Sequence, residues 1–140
     1  MSVMALFVGL SVKAQTKITV AIAKKSTSCN STDLGYKVFY GADYSELRKQ
    51  SSAAVKRLCP DWENVETKNN EDWGSYMGNY LVIISTTVRN SSACQRSTYG
   101  VGFGTSSGAA LKNAKKHLTG RNWSWNESKH GYSIEAEKRY

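Results

Sequence analysis

Tyr99-Gly100-Val101-Gly102-Phe103-Gly104 has an earlier counterpart in Tyr36-Lys37-Val38-Phe39-Tyr40-Gly41, and reading the two together decides the fold. In each, bulky residues take every second position, the period of a strand with one face in a core. Each is preceded by a polar loop holding one cysteine, Cys29 or Cys94. Before that loop comes an apolar strand pattern, Lys17 to Lys25 in the first case and Tyr80 to Arg89 in the second. Each leads at once into an amphipathic helix pattern and then a tryptophan, Trp62 or Trp123. This shared order predicts an internal duplication, with half-repeats at about 17–62 and 79–123.

The expected order is β-β-α-β-β-α-β. Asp43 with Glu46 three residues on has the form of a capping box. Tyr44, Leu47, Ala54, Val55 and Leu58 then share one helical face until Pro60 stops the helix. Thr105 or Ser106 caps the second helix, which runs to about Leu118 with Gly120 ending it. The polar connection 61–78 is long enough to include a short strand near Val65. The continuous apolar start of Tyr80-Leu-Val-Ile-Ile predicts a central strand. Lys129 to Lys138, with Tyr132, Ile134 and Ala136 on one face, closes the chain. The glycines at 100, 102 and 104 fit close approach of a packed helix. The fold class expected is α+β, a largely antiparallel sheet with two helices on one face, forming a single domain over 15–140.

Met4 to Val12 is an apolar run far too short to cross a bilayer. With small residues at Val12 and Ala14 it has the layout of a secretory signal peptide over 1–14, although no basic region precedes it. That layout predicts a periplasmic or secreted protein. The three cysteines show no CxxC or Cys/His spacing, so no metal site is expected and no cofactor is implied. An oxidising compartment allows one disulfide, and the equivalent loops suggest Cys29 with Cys94, leaving Cys59 odd.

Chemistry-bearing residues are sparse. His117 and His130 are the two histidines, and Cys94 lacks the sequence surroundings of known cysteine hydrolases. Carboxylates cluster in the 61–72 connection and at Glu135 and Glu137 without forming a catalytic set, so the reading leans against an enzyme. Charge says more. The formal net charge is +8, and no Asp or Glu lies between Trp73 and Asn126, where Arg89, Arg96, Lys112, Lys115, Lys116 and Arg121 all fall. Lys112, Lys115 and Lys116 share the face of the second helix opposite its apolar stripe. Such a face attracts anionic polymers or an acidic protein. Trp123 and Trp125 add aromatic area beside it, one ring expected on the sheet and the other on the surface. The binding set is therefore Lys112, Lys115, Lys116, Arg121, Arg96, Trp123 and Trp125. The function expected is an exported, small, basic, non-enzymatic binding or inhibitor protein acting on an acidic partner. The alternatives are a small hydrolase with a Cys or His nucleophile or base, and a cytosolic RNA-binding domain.

The last alternative has a local basis. Gly102-x-Gly104-x-Ser106, followed by Ala110, Lys112, Ala114 and Lys115 to Leu118, resembles the last strand and helix of a double-stranded-RNA-binding domain. In that family a pair of lysines at the helix start grips phosphates. Here Ser107 and Gly108 stand in their place. The resemblance covers about one seventh of the chain and carries over no site residue.

Overall fold

The computed structural model describes residues 16–28, 30–71, 78–91 and 94–140. Residues 1–14, expected to form a signal peptide, and Cys29 lie outside them. The elements are β1 (Lys17–Thr27), β2 (Asn30–Gly41), α1 (Tyr44–Leu58), β3 (Asn64–Asn69), β4 (Tyr80–Ser91), β5 (Cys94–Gly104), α2 (Ser107–Arg121), α3 (Glu127–His130) and β6 (Ser133–Arg139). The class is α+β in the expected order. The connection after α1 does hold a strand at Val65, and one helical turn precedes the last strand.

The strands form two antiparallel three-stranded sheets, ordered β2-β1-β3 and β5-β4-β6. β1 and β4 are central because both of their faces are apolar. Ile18, Val20 and Ile22 meet Leu81, Ile83, Val101 and Phe103 in a core between the sheets. On its other face β1 carries Ala21 and Ala23, which pack with Val55 and Cys59 at the end of α1. The other face of β4 places Val82, Ile84 and Val88 against Ala110, Ala114 and Leu118 of α2. Each sheet thus carries its own helix on its outer face, and the layers run helix, sheet, sheet, helix. A single sheet would leave one side of both central strands wet, which is why the strands divide.

The two halves have one topology and one register. Lys17 pairs with Gly41 and Tyr80 with Gly104; Asp43 and Ser106 cap the helices; positions therefore correspond at a constant offset of 63 (80 against 17, 104 against 41, 106 against 43). The offset persists beyond the helices. The Trp62 amide donates to Cys59 O and the Trp125 amide to Asn122 O. Trp125, not Trp123, is therefore the structural counterpart of Trp62. Beyond it the second half holds α3, whose Asn126 cap accepts from the Lys129 amide. This shortens the last strand to Ser133–Arg139. A register shift between Ile83 and Ile84 leaves Ile134 opposite Ile84 and Ala136 opposite Ile83, so those two residues do not share a face.

Two other boundaries move for a common reason. The polar stretches before Gly35 and Thr98 read as loops, yet they belong to strands from Asn30 and from Cys94. Their polar side chains pair across the two halves, as described below. α2 runs through Gly120 to Arg121, because the Arg121 side chain is anchored. The glycine row is explained as expected: a Cβ on Gly102 would collide with Ala110 O and Ala114 N, and one on Gly100 with Ala114 O.

Candidate functional site

The expected binding residues separate into an inward set and an outward set. Arg121 leaves the last turn of α2 pointing between the sheets, with its side chain 11% exposed. Its two terminal nitrogens donate to both oxygens of Asp33 on β2, and its Nε donates to Glu66 Oε2 on β3 at 3.0 Å. It also reaches Tyr99 O at 2.9 Å. Burial alone would lower the guanidinium pKa; the hydrogen bonds and charge of Asp33, with those of Glu66, raise it instead. Burial likewise pushes Glu66 up, and Arg121 together with Lys24 more than reverses this. Arg96 is buried as well, donating to Ser31 O at 2.7 Å and to Arg121 O at 3.2 Å.

These groups close the free edge of β5. The Ser97 amide donates to Thr32 Oγ1 at 2.9 Å, the Tyr99 amide to Asp33 Oδ2 at 2.8 Å, and the Val101 amide to His117 Nδ1 at 2.9 Å. An open strand edge is a template for unwanted pairing, and three side chains occupy this one. His117 must stay neutral to accept that bond. Burial, and then the nearby charges of Lys68 and Arg121, hold its pKa down to about 3. The equivalent Tyr36 and Tyr99 meet edge to face with ring centroids 5.1 Å apart, so the two halves touch through matching residues.

The outward set sits on α2 and just beyond it. Lys112 and Lys116 are exposed and pair with no carboxylate among the described residues. Lys115 beside them bonds Glu127 Oε2 at 2.9 Å and lies over the Tyr132 ring at 5.0 Å. That hydrogen bond raises its pKa. Trp123 is 83% exposed, whereas Trp125 is buried with its Nε1 donating to Gly131 O at 2.8 Å. One ring is on the surface and the other on the sheet.

Cys59, Cys94 and His130 are among the groups a hydrolase would draw on. Cys94 is buried and disulfide-bonded, and Cys59 is a buried free thiol whose pKa burial raises. His130 Nδ1 accepts from the Asn126 amide at 2.9 Å. Among the described residues no group of His, Cys, Asp and Glu is arranged to hold a metal ion, and no helix is long and apolar enough to cross a membrane.

Sequence reading placed Arg96 and Arg121 among the surface cations because each lies in an acid-free stretch. Their buried partners, Asp33 and Glu66, come from the other half of the chain. Asp33 in an otherwise polar run carried no local signal of burial. No protein-family model matches the chain, and comparison with curated proteins and with solved structures yields no match either.

Proposed function

We propose that the protein is an exported, non-enzymatic binding protein whose second half presents a basic helix face to an acidic partner, an anionic polymer or an acidic protein. The observation that carries this reading is the pair Lys112 and Lys116, exposed one turn apart on α2 without a described carboxylate partner. Trp123, at 83% exposure, supplies a large ring just past the end of the same helix. A solvent-facing indole is costly to leave wet and is a common anchor at interfaces. Arg96 and Arg121 are excluded from the contact set because their donors are spent inside the molecule.

The reading is tested by retention on an immobilised sulfated polymer at low salt. Lys112→Glu with Lys116→Glu should abolish retention without lowering the melting temperature. Retention unchanged in that variant would overturn it.

Export carries a disulfide with it, and we propose Cys29 as the partner of Cys94. The described residues just downstream run side by side: Ser31 with Arg96, Thr32 with Ser97 and Asp33 with Tyr99. Thiol labelling of the purified protein should then modify nothing in the native state and one cysteine, Cys59, after denaturation without reductant. Three labelled thiols would contradict both the pairing and export.

A further inference from the structure

A second surface, unrelated to the basic helix face, lies at the end of the sandwich where β1 and β4 begin. There Lys17 stands opposite Gly41, and Tyr80 opposite Arg139. Four tyrosines and three cations reach this end, Lys17 with Tyr44 on the α1 side, Lys138 with Tyr40 and Tyr140 between the sheets, and Arg139 with Tyr80 on the α2 side. Lys17 Nζ lies 5.1 Å from the Tyr44 ring centroid, Lys138 Nζ lies 4.8 Å from that of Tyr140 and 5.9 Å from that of Tyr40, and Arg139 lies 5.1 Å from that of Tyr80. Four of the cation–π contacts among the described residues gather at this one end. Tyr140 and Tyr80 pack against the inner and outer cores, whereas Tyr40 is 61% exposed and core packing does not account for its position. None of the three cations pairs with a carboxylate among the described residues.

The end is also held in shape. Asn70, fully buried, accepts from the Ile18 amide and from Tyr44 Oη, and donates to Thr16 O and Gly78 O. Both α1 and α2 start here, capped by Asp43 and Ser106. Their N-termini add positive potential to the same end, and α2 has no acidic residue in its first turn to offset it.

We propose that this band binds a single-stranded polynucleotide, with bases stacking on Tyr40 and its neighbouring rings and phosphates meeting Lys17, Lys138 and Arg139. Exposed rings interleaved with cations are the means by which proteins hold single strands without reading sequence. The band crosses both sheets, which pack about 10 Å apart. That span suits a site of few nucleotides, near the low end of the ~4–16 found for single-strand binding folds. The surface shares no residue with the basic face of α2, so the two readings fail separately.

The test is fluorescence anisotropy with a short labelled oligothymidylate, run alongside an abasic strand of equal phosphate count. The expected results are binding at low salt with a log–log salt slope of about −2, from three phosphate contacts, and about tenfold weaker binding of the abasic strand. Tyr40→Ala, at an exposed position, should lose about as much on oligothymidylate and melt like the parent. Lys112→Glu with Lys116→Glu should bind the oligonucleotide undiminished. Failure of the parent to bind, equal binding of the abasic strand, or an undiminished Tyr40→Ala variant would each overturn the proposal.

Discussion

Arg121 and Asp33 stand 88 positions apart in sequence and form a two-pronged ion pair, one on the last turn of α2 and the other on β2. The pair ties the second repeat to the first. Because Asp33 also accepts from the Tyr99 amide, one carboxylate joins a helix end, a sheet edge and the other half of the chain.

Arg121→Leu should destabilise the protein by about 3–5 kcal/mol, since it strands Asp33 without a counter-charge. Arg121→Lys should recover only part of this, because an ammonium cannot span both carboxylate oxygens. Adding Asp33→Asn to Arg121→Leu should restore part of the loss by removing the orphaned charge. Urea midpoints of the three variants measure this ranking. A single Arg121→Leu variant as stable as the parent would show that the pair contributes nothing to holding the halves together.

Stability should fall on acidification in two stages. His117 titrates near 6.5 when unfolded but at about 3 when folded. As pH drops below about 6.5 the unfolded chain takes a proton that the native one refuses, so stability declines until the folded pKa is reached. Glu66, lowered in the folded state, adds a contribution that is full above its unfolded value and lost as pH falls below it. His117→Gln keeps an acceptor for the Val101 amide and removes the titration. It should flatten the decline between pH 6.5 and about 4.5 and leave the steeper loss below it. Urea titrations at several pH values would show this; an unaltered slope would mean that His117 is protonated in the native protein.

Glycines in α2 and beneath it should respond oppositely to alanine. Gly120 has open space where a Cβ would go and lies inside α2, so Gly120→Ala should stabilise by about 1 kcal/mol. Gly102→Ala drives a methyl group into the backbone of α2 at Ala110 and Ala114 and should cost about 3 kcal/mol. Thermal melts distinguish the two. If Gly102→Ala were neutral, α2 would have to lie farther from β5 than the structure places it.

Local pattern carried the element order, since period-2 apolar runs, helix caps at Asp43 and Ser106, and the glycine row each depend on neighbours in sequence. The two-sheet division was less legible. Ala21 and Ala23 alternate with Val20 and Ile22 in the sequence, and this face of small residues is what lets α1 come close. The polar run before Gly35 looked like a loop because the partner that buries Asp33 is Arg121, far along the chain. The same long-range pairing removed Arg96 and Arg121 from the surface. Lys112 and Lys116 were legible because exposure on a helix face is a local property, whereas which of Trp123 and Trp125 would be buried was not.

The most direct measurement of the proposed function is the affinity of the intact protein for a soluble sulfated polymer as salt is raised. The account predicts binding that weakens steadily with salt, and loss of most of that binding in Lys112→Glu with Lys116→Glu. Trp123→Ala should weaken binding further without changing the salt slope, because it removes contact area and no charge. Binding that ignores salt, or that survives the double charge reversal, would contradict the assignment of the partner surface to α2.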